Sequence, residues 1–104
     1  MLEVFSRLEG RALLLELRGI LDFATIGVFN ERAMAWPPDV EAVTIDFSGL
    51  EFTDSTGIGA VIGAIYAASE RGASVRFVGI SEPIYDIFQT VGVFHILQTL
   101  QKGG

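Results

Sequence analysis

Apolar positions along the chain predict strands first and then an alternation of helices and strands. Residues 2–8 and 11–18 form two apolar stretches around a turn at Gly10, and the second is nearly continuous, as in a buried strand. Residues 42–47 form a compact apolar run that is typical of a central strand. Residues 74–78 form another such run and are predicted to be a strand as well.

Helical patterns lie between and after these strands. Helices are predicted over 25–34, 54–71 and 81–91, with Thr25 and Ser81 as N-caps of the first and third. Each is followed by residues that stop a helix, namely two prolines after the first and a glycine after each of the others.

The remaining segments complete the fold class. Residues 93–97 are predicted to be a short last strand or an extended segment, and residues 48–53 to be a loop before the second helix. The order β-β-α-β-α-β-α-β implies right-handed crossovers and parallel neighbours, with the opening hairpin as an antiparallel edge. We therefore expect a single α/β domain over 1–104, with a mixed four- or five-stranded sheet covered by three or more helices.

The composition narrows the class of protein. A length of 104 residues suits one domain, and half of the residues are hydrophobic, which is enough for a core. The formal net charge of -6 argues against nucleic acid and anionic membranes as partners. No apolar stretch approaches the ~18 residues that span a bilayer, and the N-terminus lacks the pattern of a signal peptide. Since the chain has no cysteine, we expect a cytoplasmic protein without disulfides, and we expect no metal or cofactor.

The candidate chemistry lies where the central strand leads into the second helix. Asp54 and Ser55 come at the N-terminus of this helix, where unpaired N–H groups and the helix dipole favour negative charge. One of these two residues is the predicted N-cap. A phosphate on Ser55 would find the same donors, and it would change the surface by about -1.5 to -2 charges without unfolding the helix. The alternative is that Ser55 is only a helix cap.

The second helix has an unusual composition on the side that we expect to face solvent. A period of ~3.6 residues per turn places one set of side chains toward the core: Ile58, Val61, Ile62, Ile65, Tyr66 and Ser69. The opposite face is small and uncharged: Ala60, Gly63, Ala64 and Ala67. Either both faces are buried, with Gly59 and Gly63 allowing close approach to the sheet, or a partner protein lies flat on the small face.

The sequence Asp-Ser-Thr-Gly-Ile-Gly at 54–59 resembles the signature of bacterial anti-sigma factor antagonists, which are STAS domains. Other parts of the chain are similar to this family in the same order: residues 19–22 with Thr25, residues 43–48 with Phe52, Gly72 before the strand at 75–78, and residues 91–94. The resemblance spans residues 10–97 and implies the STAS fold.

The resemblance also implies a partner switch. In this family an anti-sigma factor that is also a serine kinase phosphorylates the serine after the aspartate, which implies Ser55 as the phosphoacceptor. The unphosphorylated protein binds the anti-sigma factor, phosphorylation prevents binding, and a phosphatase restores it. Asp22 and Thr25 lie in the loop that family members present to the kinase. Together with the small helix face, the expected partner-binding residues are Asp22, Thr25, Asp54, Ser55, Thr56, Gly57, Ala60, Gly63, Ala64 and Ala67.

Other functions remain open from the sequence. The expected function is that of a transcription regulator and not of an enzyme. A serine that serves only as a cap would suit a STAS domain of a larger assembly, such as the cytosolic part of an anion transporter or a lipid-transport complex. The apolar first helix and the short end of the chain would also suit a domain that pairs with itself as a homodimer.

Enzymatic alternatives depend on few residues. Asp46 and Asp54 are two carboxylates after a strand, which would suit Mg²⁺ binding or catalysis. A receiver domain would need a lysine on a later strand, but the only lysine is Lys102. The single histidine, His95, is more typical of a structural residue than of a base or ligand.

Three aromatic side chains outside the strands are expected to pack within the domain. Trp36 precedes two prolines and is predicted to cover the end of the first helix. Phe23 and Tyr85 are predicted to belong to the core, with exposure at the surface as the alternative.

Overall fold

The centre of the fold is a four-stranded sheet whose strands lie side by side in chain order. The computed structural model describes residues 1–102. Its strands are β1 (Leu2–Glu9), β2 (Ala12–Leu21), β3 (Ala42–Thr53) and β4 (Ser74–Val78). β1 pairs antiparallel with β2, whereas β2 with β3 and β3 with β4 are parallel pairs. The predicted mixed sheet with an antiparallel N-terminal hairpin is confirmed.

Helices connect the parallel strands and follow the last one. They are α1 (Ile26–Met34), α2 (Ser55–Glu70), α3 (Glu82–Val91) and α4 (Val93–Lys102). α1 connects β2 to β3 and α2 connects β3 to β4, because parallel pairing requires a crossover of this kind. Among the described residues, no helix has the length and apolar character needed to cross a membrane.

The core lies on one face of the sheet. Every second residue of the two central strands is buried there: Leu13, Leu15 and Leu17 of β2, and Val43, Ile45 and Phe47 of β3. Phe47 packs edge to face against Phe77 and Phe88, with ring centroids 5.0 and 5.4 Å away. The residues between them on the two strands are only half-buried, since the helices cover the opposite face.

The end of the chain is helical, so the predicted strand or extended segment over 93–97 is wrong. Val93 is fully buried, and Leu97 and Leu100 pack against the core at the three- and four-residue spacing of a helix. Gly92 ends α3 with φ 92°, and its carbonyl accepts the N–H of Ile96 at 3.0 Å in the first turn of α4. A short apolar run fits a strand and a buried helix equally well, and here packing against α2 favours the helix.

Residues 48–53 continue β3, so the predicted loop is also wrong. They pair with β2 beyond the end of β4, through two register shifts. A glycine such as Gly49 suggests a turn, but here it allows β3 to lie close to β2. A Cβ at this position would lie 2.8 Å from the Leu17 carbonyl oxygen. The continuation of β3 carries the chain to Thr53, beside the end of β2 at Leu21.

Two helices begin where expected but without the expected capping bonds. Thr25 and Ser81 occupy the N-cap positions of α1 and α3, yet neither side chain bonds to an N–H group of its helix. Pro83 lies in the first turn of α3, where the missing N–H has no consequence.

Trp36 and Arg71 link the C-terminal ends of α1 and α2. Trp36 is buried, and its Nε1–H donates to the carbonyl of Ala33 at the end of α1, which confirms its predicted place. The guanidinium carbon of Arg71 lies 3.9 Å from the centroid of the indole ring. The same guanidinium donates to the carbonyl of Trp36 at 3.0 Å, so the two helices are joined through one tryptophan.

Gly57 allows the N-terminal end of α2 to pack against the ends of β2 and β3. A Cβ at Gly57 would lie 2.3 Å from both the Leu21 carbonyl oxygen and the Oγ1 of Thr53. Thr53 is buried, and its hydroxyl donates to that same carbonyl at 2.8 Å. Both oxygens are therefore fixed, and only glycine fits between them and the helix.

We expect Gly57→Ala to lower the free energy of unfolding by about 1–3 kcal/mol, because the added methyl group overlaps with fixed oxygen atoms. Gly63→Ala in the same helix is the matched control. Nothing lies within 4 Å of its added Cβ, so it should raise the free energy of unfolding by about 0.5–1 kcal/mol. Urea unfolding followed by circular dichroism measures both, and equal stability of the two variants would contradict this account of Gly57.

Candidate functional site

Asp54 connects the end of β3 to the start of α2. It is the N-cap residue of α2, with the extended backbone typical of that position, φ -108° and ψ -176°. Its Oδ1 accepts the N–H of Gly57 at 2.9 Å and so satisfies one of the donors left unpaired at the helix terminus. Of the two residues predicted as the cap, it is Asp54 that has this role.

The second carboxylate oxygen of Asp54 binds a different part of the chain. Oδ2 accepts the backbone N–H of Phe23 at 3.3 Å. Phe23 lies in the loop between β2 and α1, which we call the β2–α1 loop, residues 22–25. One side chain therefore joins the start of α2 to the loop that precedes α1.

The β2–α1 loop is also held by its own hydrogen bonds. The hydroxyl of Thr25 donates to the carbonyl of Ile20 at 2.8 Å and accepts the N–H of Asp22 at 2.9 Å. Oδ1 of Asp22 accepts the N–H of Ala24 at 3.0 Å, a bond that stabilises the turn. Thr25 is buried, so its side chain shapes the loop from inside and is not at the surface, contrary to the prediction that it contacts a partner.

Ser55 is the first residue of α2, and its side chain is exposed. Its hydroxyl makes no hydrogen bond to another residue within the described part of the chain, because the capping role belongs to Asp54. The interpretation of Ser55 as a structural cap is therefore wrong. The N–H groups of Ser55 and Thr56 belong to the first turn and have no acceptor within the helix, so they remain available to an anion.

The small face of α2 is less exposed than predicted. Gly63 is exposed and Ala60 and Ala67 are half-buried, but Ala64 is only 8% exposed and belongs to the core. Tyr66, predicted to face the core, is 48% exposed. α2 packs between α1 and α4, so its buried side is rotated from the predicted one and consists of Gly57, Ile58, Val61, Ala64, Ile65 and Ala68.

The prediction that Gly59 and Gly63 allow close approach to the sheet is wrong. A Cβ at Gly59 or Gly63 would meet nothing within 4 Å, so these residues do not bring the helix close to the sheet. Close approach occurs at Gly57, which is buried and not available for the expected partner contact. The exposed stripe that continues from Ser55 along α2 consists of Gly59, Gly63, Tyr66 and Glu70. It is narrower than the predicted face, and its only charged residue is Glu70 at the end of the helix.

Asp46 and Asp54 do not share hydrogen-bond partners. Oδ1 of Asp46 accepts the N–H of Ser48 at 2.9 Å, on the side of β3 where Gly79 follows β4. Both oxygens of Asp54 are used by α2 and the β2–α1 loop. In the part of the chain that the structure describes, no group of three or more His, Asp or Glu side chains is placed to hold a metal ion.

The exposure of Phe23 in this region was not predicted from the sequence. Phe23 was predicted to be in the core, but it is 77% exposed. Tyr85, predicted likewise, is also largely exposed, although its ring lies 4.8 Å from that of Phe94. The exposure of Phe23 could have been inferred from its position directly after Asp22, in a short loop, because loop residues tend to lie at the surface.

Comparison with known proteins identifies the class to which this fold and site belong. A family model described as STAS domain matches residues 6–102, and the chain therefore belongs to the STAS domain family. No curated protein sequence matches the chain.

Solved structures that resemble the chain include antagonists and a transporter protein. A structure described as an antisigma-factor antagonist, STAS domain, from Rhodobacter sphaeroides has a TM-score of 0.65 and 28% identity, over 75% of this chain and 86% of that one. The anti-sigma factor antagonist SpoIIAA in its unphosphorylated form has a TM-score of 0.69 and 20% identity, over 84% and 82%. A sulfate transporter family protein from Wolinella succinogenes has a TM-score of 0.77 and 15% identity, over 88% and 75%. The chain also matches a structure called Mglu, but it covers only 20% of the length of that protein chain.

We expect Asp54→Ala to lower the free energy of unfolding by about 1–2 kcal/mol, because it removes the cap of α2 and the acceptor of the Phe23 N–H. Ser55→Ala, one position later, is the matched control and should change the free energy of unfolding by less than about 0.5 kcal/mol. Urea unfolding gives both values. If Ser55→Ala is as destabilising as Asp54→Ala, the assignment of the cap to Asp54 is wrong.

Proposed function

We propose that this chain is an anti-sigma factor antagonist that binds an anti-sigma factor with serine kinase activity and is switched by phosphorylation of Ser55. The observation that carries the proposal is the exposed Ser55 hydroxyl at the N-terminus of α2, with Asp54 as the cap in its place. Because the hydroxyl has no structural partner within the described residues, a kinase can modify it at little cost to the fold.

The position of Ser55 suits a phosphate as well as a hydroxyl. A phosphate there lies beside the N–H groups of the first turn of α2 and at the positive end of the helix dipole. It adds about -1.5 to -2 charges next to the carboxylate of Asp54, so the change falls on the electrostatics of the surface. The proposed switch is therefore a change of charge and not a change of fold.

The chemistry of the kinase explains why phosphorylation would end the complex. Phosphoryl transfer requires the Ser55 hydroxyl to lie in line with the terminal phosphate of the bound nucleotide. After transfer, the new phosphoserine faces the remaining phosphates of that nucleotide at short range. The repulsion between these anions favours dissociation, and a phosphatase that removes the phosphate returns the chain to its binding form.

Membership of the STAS domain family and the 28% identity to the Rhodobacter sphaeroides antagonist support this proposal. The alternative function is that of a STAS domain in a larger transport protein, since a sulfate transporter family protein shares the same fold. Under that function Ser55 needs no modification and no kinase co-purifies with the chain. The two functions therefore differ in whether a kinase binds.

The first test of the switch is direct phosphorylation. The anti-sigma factor kinase that binds the unphosphorylated chain is incubated with the chain and ATP, and the modified residue is mapped by mass spectrometry. We expect one phosphate, on Ser55, and none on Ser55→Ala. Ser48→Ala, which removes another exposed serine, is the control and should be phosphorylated like the wild type. Phosphate that is confined to other residues or persists in Ser55→Ala rejects the proposal.

The charge mechanism has its own prediction. Ser55→Asp should weaken binding to the kinase loaded with ADP by at least about tenfold, because it places a carboxylate where the phosphate would stand. Ser55→Asn has nearly the same size without the charge and should weaken binding far less. Isothermal titration calorimetry measures both affinities, and an equal loss in the two variants would mean that bulk, not charge, opposes binding.

A further inference from the structure

We propose that Phe23 is the apolar anchor by which this chain docks on its anti-sigma partner. The partner surface that receives it is an apolar pocket surrounded by basic side chains. This inference rests on the function proposed above and adds to it the residue that determines affinity.

The exposure of Phe23 has no explanation within the fold. At 77% it is the most exposed aromatic side chain of the described residues. Phe52, two residues before Asp54 on β3, is 53% exposed and adds apolar surface at the same end of the sheet. Large aromatic side chains that become buried on binding provide much of the affinity of protein interfaces. An exposed phenylalanine at a proposed docking site is therefore a strong candidate for the anchor.

The backbone of Phe23 is fixed before any partner arrives. Its own N–H is held by Oδ2 of Asp54 at 3.3 Å, and the N–H of the next residue, Ala24, is held by Asp22 at 3.0 Å. Thr25 fastens the same loop to the end of β2. Binding therefore loses little backbone entropy at this position, a property expected of an anchor and not of a mobile surface side chain.

The charges around Phe23 indicate the chemistry of the partner. Asp22 directly precedes Phe23 and Asp54 accepts its N–H, while residues 19–31 and 33–70 contain no Lys or Arg. Acidic groups beside an exposed apolar side chain complement a basic rim around an apolar pocket. Kinases carry such basic groups near their nucleotide, where they neutralise its phosphates. A second copy of this chain would bring the same acids and a net charge of -6, so it is a poor occupant.

The test measures binding of the unphosphorylated, full chain to the purified anti-sigma factor kinase by titration calorimetry. We expect Phe23→Ala to weaken the affinity by about 30-fold or more. Phe23→Leu keeps an apolar side chain and should lose less affinity than Phe23→Ala. Phe5→Ala is the matched control, since Phe5 is an exposed phenylalanine on β1, and its affinity should stay within about threefold of the wild type. Unfolding curves of Phe23→Ala should match the wild type, because so exposed a side chain adds little to the core.

Kinetics separate docking from chemistry. With the chain as substrate of the kinase, Phe23→Ala should raise KM by a similar factor and leave kcat within about twofold, since the anchor contributes equally to the ground and transition states. The association rate constant should fall as NaCl is raised from about 50 to about 500 mM. An association rate that does not depend on salt rejects the basic rim.

The outcomes distinguish the anchor from the switch. If Phe23→Ala binds like the wild type while Ser55→Asp does not, the anchor is wrong and the proposed function stands. If the wild-type chain does not bind the kinase, both are wrong. A Phe23→Ala variant that loses self-association in sedimentation experiments, but not kinase binding, assigns the residue to a homodimer and overturns the inference.

Discussion

The carboxylate of Asp54 holds together the end of the molecule where function is proposed. One oxygen caps α2 through the N–H of Gly57, and the other holds the N–H of Phe23 in the β2–α1 loop. Of these two bonds, the one to Gly57 is the shorter, at 2.9 Å against 3.3 Å. Because one side chain serves both segments, the backbones of Ser55 and Phe23 keep a fixed relation to each other.

The frame behind this carboxylate allows little adjustment. Gly57 lies against fixed oxygen atoms of Leu21 and Thr53, which sets the distance between α2 and the sheet. At the other end of the helices, Arg71 lies on Trp36 and bonds to its carbonyl, so α1 and α2 are joined at both ends. A domain braced in this way is suited to present a surface and is poorly suited to change shape.

The sequence was sufficient for the mixed sheet, the first three helices and the start of α2, but not for residues 48–53, the last helix or the side-chain placement around α2. The hairpin, the crossovers and Asp54 with Ser55 follow from periodicity and capping chemistry, which are local properties. The helix after Gly92 does not, because a short apolar run fits two structures until its packing partner is known. The burial of Ala64 could not be predicted for a similar reason, since a small side chain does not indicate which neighbour covers it. The bond between Asp54 and Phe23 joins segments that are distant in sequence, and no local pattern predicts it.

The separate roles of Asp54 and Ser55 would allow the proposed switch to act at a helix terminus without destabilising the helix. If the serine were the cap, phosphorylation would remove a capping hydrogen bond and would lower the stability of α2. With the aspartate as the cap, the helix is complete before modification, and the serine hydroxyl is exposed on its first turn. In the proposed switch, added charge would act on the partner that faces α2 and the β2–α1 loop, while the sheet and core beneath would remain unchanged. The rigidity of the site suits this proposal, because a partner detects a new charge most directly on a surface that otherwise stays the same.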